Sequence, residues 1–111
     1  MVGNRKLRAP HTPEVFLSGA LHGDETIGPA SVLETVTFLV ERYGKDPWVT
    51  QLVDTRTVVA MPMANAEGGA KKRREENGVD TNRDFAFDTD PDQCMKTTAA
   101  RAINEVRATI C

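Results

Sequence analysis

The residues best equipped for chemistry are His22 and Glu25, in the stretch His22-Gly23-Asp24-Glu25 that follows the apolar run Val15-Phe16-Leu17; Asn82-Arg83 comes further downstream. Imidazole nitrogen and carboxylate oxygen are ordinary zinc ligands, and a catalytic zinc site commonly takes three protein ligands and leaves one position for water. In a tight turn, positions i and i+3 point to the same side, so His22 and Glu25 can hold one ion at roughly 2.0–2.2 Å each while Gly23 keeps the backbone clear. The same residues also suit an exposed turn with a polar histidine and a helix-start glutamate. Asp80, in Gly78-Val79-Asp80, can accept the second ring N–H of a liganding histidine and fix its tautomer, or it can close an Asx turn. Asn82-Arg83 sets a planar guanidinium beside an amide, a pairing suited to gripping a carboxylate by two parallel charge-assisted bonds. A loop arginine is otherwise a solvated charge.

These residues need elements to position them. Glu14 to Ala20 reads as a short buried strand between Pro13 and Gly19, with His22 just past its carboxyl end. From Pro29 to Tyr43, Val32, Leu33, Val36, Leu39, Val40 and Tyr43 recur at helical spacing opposite Ser31, Glu34, Glu41 and Arg42. Pro29 fits a first helical turn and Gly44 a C-terminal cap. Thr57 to Met63 is a second apolar, β-branched run, with Pro62 as its stop. Residues 64–91 lack periodicity and read as a long irregular connection, which is uncommon unless functional. Asp90-Pro91 is expected to cap a helix from about Asp92 to Ile110, with Met95, Ala99, Ile103, Val106 and Ile110 on one face. Strand, helix, strand, helix implies an α/β layer with a largely parallel sheet, whose ligands gather beyond the carboxyl ends of the strands. Two strands cannot make a stable parallel sheet alone, so the fold expected is an incomplete one.

Composition narrows the function classes. At 111 residues and 40% apolar, the chain is one domain at most. A net charge of −2 gives no general pull toward nucleic acid or anionic membrane. The basic run Lys71-Lys72-Arg73-Arg74 is followed at once by Glu75-Glu76 and reads as a solvated loop rather than a targeting or phosphate-binding patch. Cys94 and Cys111 are too few for a disulfide framework and match no zinc spacing. No apolar stretch approaches the roughly 20 residues of a membrane span, and the opening residues lack the apolar core of a signal peptide.

The combination is more specific than its parts. Gly19-Ala20-Leu21-His22-Gly23-Asp24-Glu25, Asn65-Ala66-Glu67-Gly68 and Gly78-Val79-Asp80-Thr81-Asn82-Arg83-Asp84-Phe85, in that order, resemble the zinc carboxypeptidases of the M14 family over residues 12–110. The resemblance implies a three-layer α/β/α domain with a mostly parallel mixed sheet, here in part. It implies a Zn2+ cofactor with His22 and Glu25 as ligands, Asp80 as the partner of the histidine ligand, and Asn82 and Arg83 as the grip on a peptide's C-terminal carboxylate. The arginine that stabilises the oxyanion matches Arg73, with Arg74 as a near alternative. The partner implied is a peptide or protein C-terminus, and the reaction is removal of a C-terminal amino acid. The family usually carries Leu where Thr81 stands, and an aromatic or Asn-Phe/Trp where Asp84-Phe85 stands; neither departure is expected to touch the chemistry.

Three parts that the resemblance implies have no counterpart in the sequence: a third zinc ligand, a histidine on the strand after the second helix; a tyrosine over the substrate; and a general-base glutamate. His11, between Pro10 and Pro13, is not expected to ligate, and Glu75 and Glu76 sit on the wrong segment to act as the base. The expectation is therefore an internal piece of a carboxypeptidase domain, inactive by itself. Two other classes remain open: a zinc acylase of the aspartoacylase and succinylglutamate desuccinylase type, which shares the His-Gly-x-Glu and Asp-x-Asn-Arg pattern, and a non-catalytic fragment.

Overall fold

A computed structural model of the chain describes residues 12–85 and 95–110. Strand β1 (Glu14–Ser18) is followed by α1 (Ile27–Arg42), α2 (Pro47–Thr55), strand β2 (Thr57–Met61), the short α3 (Ala66–Lys71), a 3₁₀ turn (Thr81–Arg83) and α4 (Thr98–Ile110). β1 and β2 pair in parallel, with Val15 opposite Val58, Phe16 opposite Val59 and Leu17 opposite Ala60. The mixed α/β class and the parallel pairing agree with the sequence reading. A parallel pair needs a crossover, and here α1 and α2 together supply it.

Two helices fall outside the sequence expectation: α3, inside residues 64–91 expected to be an irregular connection, and α2. The signals of α2 are local: Asp46 accepts from the backbone N–H of Trp48 and Val49 at 2.9 and 3.1 Å, and Pro47 occupies the first turn, where its missing N–H costs nothing. Val49, Leu52 and Val53 then recur at helical spacing. Val49 and Val53 join Leu39 of α1 and Val58 of β2 in the core, with Leu17 and Leu52 packed against them. Half of that cluster therefore comes from one nine-residue helix.

The apolar stripe expected on α1 is only partly covered. Val32 and Leu39 are buried, but Leu33, Val40 and Tyr43 are exposed, because a two-stranded layer is narrower than the stripe. Gly44 follows the helix at φ +75°, the left-handed conformation that suits glycine after a C-terminus. Helix α4 begins at Thr98 rather than near Asp92: Met95, Lys96 and Thr97 are described and are not helical. Ala99 is buried, and Ile103 and Val106 are half-buried. The later start has a physical cause, since the carboxylates of Glu76 and Asp84 take up the backbone N–H groups of residues 96–99. His11, Asp90-Pro91, Cys94 and Cys111 lie outside the described residues. No helix among those described is long and apolar enough to cross a membrane.

Candidate metal centre

The parallel ladder does not stop at the strand ends, and this is what builds the site. Gly19 donates to the Met61 carbonyl at 3.0 Å, Ala64 to Gly19 at 3.0 Å and Asn65 to Ala20 at 2.9 Å. The two loops beyond the carboxyl ends are thus zipped together, in the position where α/β sheets hold ligands. Asn65 is fully buried and ties in a third segment: its Oδ1 accepts from Gly68 at 2.8 Å, capping α3, and its Nδ2 donates to the Arg74 carbonyl at 3.1 Å. Gly23 donates to that same carbonyl at 3.2 Å. A Cβ on Gly23 would stand 2.2 Å from the Gly68 carbonyl carbon and 2.3 Å from the Gly69 nitrogen, so only glycine allows this approach.

At this junction His22 is buried, and each ring nitrogen faces a carboxylate. Nδ1 lies 2.9 Å from Glu25 Oε1 and Nε2 lies 3.1 Å from Asp80 Oδ1. The turn is closed by the Glu25 N–H, which donates to the His22 carbonyl at 3.2 Å. A neutral imidazole has one N–H, so it can donate to only one of the two carboxylates and would turn a lone pair on the other. A cation between Nδ1 and Glu25 is one way to remove that conflict, as is a ring with N–H on both nitrogens, and either leaves Nε2–H to donate to Asp80. The spacing fits: two atoms that each ligate one zinc ion at about 2.0–2.2 Å are roughly 3 Å apart. The two residues therefore suit a divalent metal as a pair of donors. Among the described residues, no group of three or more His, Cys, Asp or Glu side chains is arranged to hold a metal ion.

Asp80 serves both purposes that its sequence allows. It accepts from His22, and it closes an Asx turn by accepting from the Asn82 backbone N–H at 2.9 Å. Desolvation pushes its carboxyl up, but the bonds from Asn82, His22 and Arg74 outweigh that and hold it below the ordinary carboxylate range. Asn82 and Arg83 lie on the 3₁₀ turn with both side chains exposed, beside the Asp80 that touches His22.

The basic run separates into distinct roles. Lys71 pairs with Glu67 one helical turn back, and Lys72, at φ +52°, ends α3 in the left-handed conformation. Arg74 lies against the two carboxylates that face His22: its Nη1 is 3.4 Å from Glu25 Oε1 and its Nε 3.3 Å from Asp80 Oδ2. The guanidinium of Arg73 is exposed and makes no hydrogen bond or ion pair among the described residues. Glu76, noted in the sequence only as misplaced for a base, is 5% exposed and accepts from Thr98 and Ala99 at 2.7 and 3.0 Å. Its carboxylate is committed to holding α4. The sequence reading missed Asn65, Arg74, Glu76 and Asp84 as organisers; Asn65 carried a usable signal, an amide three residues before a glycine at a helix start.

Comparison with known proteins points the same way. The zinc carboxypeptidase family model matches residues 2–110. Carboxypeptidase D of Homo sapiens is 31% identical over 105 residues, covering 86% of this chain and 7% of that protein. Carboxypeptidase M of Mus musculus is 31% identical over 103 residues, covering 84% of this chain and 23% of that protein. Carboxypeptidase SOL1 of Arabidopsis thaliana is 37% identical over 76 residues, covering 68% and 14%. The chain thus spans less than a quarter of the length of each of these relatives.

Proposed function

This chain belongs to the zinc carboxypeptidase family, a family of hydrolases, and we propose that it carries part of the site that removes a C-terminal amino acid from a peptide or protein. The observation that carries the reading is His22, with Glu25 2.9 Å from Nδ1 and Asp80 3.1 Å from Nε2. In this reading, His22 and Glu25 are two of the protein ligands of a zinc ion, and Asp80 orients the ring. Zinc, when bound, supplies Lewis-acid polarisation of a carbonyl and a water acidified to near neutral pH.

The chain's own residues would do the rest of what can be assigned to it. Asn82 and Arg83 hold the substrate's terminal carboxylate, so a chain end is selected over an internal bond. Arg73 meets the charge that develops on the carbonyl oxygen, its side chain being exposed and not engaged elsewhere among the described residues. Arg74, held between Glu25 and Asp80, is the structural arginine of the pair. The acylase alternative gains no support from the relatives named above, which are all carboxypeptidases.

A metal titration tests the ligand assignment. Two donors should take zinc weakly, and His22→Ala or Glu25→Ala should abolish what the 111-residue chain binds. Undiminished binding in both variants would refute it. The chain by itself should release no C-terminal residues, because its described residues offer no third donor; chelator-sensitive release would overturn that. In a form of the protein with a complete metal site, peptides with a free C-terminal carboxylate should be cleaved and their amides spared. Equal cleavage of both would sink the role of Asn82 and Arg83.

A further inference from the structure

Thr81 lies between two residues of the proposed site, yet its own side chain takes no part in the chemistry assigned so far. It is fully buried, at 0% exposure, while Asn82 and Arg83 beside it are exposed. Its hydroxyl donates to the carbonyl oxygen of Leu21, 60 residues away in sequence and next to His22. The residue before it, Asp80, accepts from the His22 ring. Two consecutive residues of one loop therefore grip two consecutive residues of the other, the first at the ring and the second at the backbone. One bond alone would let the loops pivot about it; a second bond one residue away removes that freedom.

We propose that Thr81 is a positioning residue, whose hydroxyl clips the backbone ahead of His22 so that Asp80 can hold the imidazole in the orientation that turns Nδ1 toward Glu25. The proposal rests on the reading of His22 as a metal ligand. The flanking bonds do not replace this one: Asn65 holds Ala20 and Arg74 holds Gly23, while Thr81 holds Leu21 between them. The departure from the family's usual leucine, expected above to leave the chemistry untouched, is therefore what supplies this bond here, and an aliphatic side chain at position 81 would leave the part-buried Leu21 carbonyl without that donor.

The test compares the 111-residue chain with Thr81→Val, which keeps the shape without the hydroxyl, and with Thr81→Ser, which keeps the hydroxyl. The readouts are the ring nitrogen resonances of His22 without metal and the zinc affinity by competition with an indicator chelator. Thr81→Val should shift the ring resonances and weaken zinc binding about tenfold, and Thr81→Ser should restore both to within about twofold of the parent. A role in folding alone would lower the melting temperature of Thr81→Val while leaving the ring resonances and the affinity of the folded chain unchanged, and that result overturns the proposal. If the parent chain takes no zinc, the ligand assignment fails, and the ring resonances of the two variants decide Thr81 without it. If Thr81→Val does not fold, the Thr81 hydroxyl proton is read in the parent chain: slow exchange with solvent and a coupling across the bond to the Leu21 carbonyl carbon support the hydroxyl bond, and a freely exchanging hydroxyl overturns it.

Discussion

Replacing Glu76 with alanine should release α4 and loosen the loop that carries Asp80. The Glu76 carboxylate is buried and accepts two backbone N–H groups of the first turn of α4, from Thr98 at 2.7 Å and Ala99 at 3.0 Å. These are among the N–H groups that a helix start cannot satisfy internally. A lost N-cap costs typically about 1 kcal/mol, and hydrogen bonds to a charged acceptor contribute about 1.5–3 kcal/mol. Two bonds to one carboxylate, partly replaced by water in the variant, give about 2–3 kcal/mol for Glu76→Ala. Glu76→Gln keeps one acceptor and should lose about half of that. A change of 2–3 kcal/mol is about a 30- to 150-fold rise in the local opening equilibrium. Amide hydrogen exchange at Thr98, Ala99 and Ala100 reads it directly. Because Glu76 is four residues ahead of Asp80 in the same loop, the His22 ring resonances should broaden or shift in the same variant. Protection at those three amides that stays within about twofold of the parent chain would refute the capping role.

Acid should act on the same clamp. Desolvation pushes the Glu76 and Asp84 carboxyls up, but the backbone N–H bonds they accept outweigh it and hold both below their ordinary values of 4.5 and 3.8. The folded chain therefore binds fewer protons than the unfolded one in this range. The stabilisation is fully present above about pH 5 and is lost as pH falls through the depressed folded values. Helical signal followed from pH 7 to pH 2 should fall below about pH 4, and Glu76→Gln should flatten part of that loss; a transition unchanged by the substitution would contradict it. Gly23→Ala would put a Cβ 2.2 Å from the Gly68 carbonyl carbon and 2.6 Å from the Arg73 carbonyl oxygen, both backbone atoms that cannot rotate away. It should cost about 3 kcal/mol or more by thermal unfolding, and a melting temperature equal to the parent's would show that the loops part freely.

Both strands, the main helix α1 and the parallel pairing were legible because they rest on local periodicity and on apolar, β-branched runs. The burial expected of the first strand is not found: Val15 is exposed and Phe16 and Leu17 are only half-buried, since one neighbouring strand and few helices cover β1 among the described residues. Helix α2 leaves a fainter mark, in Asp46-Pro47 and the spacing of Val49, Leu52 and Val53, because its nine residues lie between two stronger signals. The start of α4 was not legible. Asp90-Pro91 looked like a cap, whereas the groups that take up the free N–H bonds are Glu76 and Asp84, 22 and 12 residues upstream of the amides they hold. A capping partner that distant leaves no mark in a local window.

The amino-acid sequence by itself determined which residues could do chemistry: His22 and Glu25 three apart after a strand, Asp80, and Asn82-Arg83, in a pattern that resembles one family. Spacing carries that much because i and i+3 in a turn share a side whatever the rest of the chain does. The tertiary structure decided which atoms meet. It put Asp80 on the ring nitrogen of His22 that Glu25 does not face, brought Arg74 rather than Arg73 between the two carboxylates, and committed Glu76 to α4. It also buried Thr81 against Leu21. Each of these depends on loops brought together from 22 to 60 residues apart by the continued strand ladder and by Asn65. Hydrogen bonds act only over about 3 Å, so the sequence could name the donors and acceptors, and only the fold could pair them.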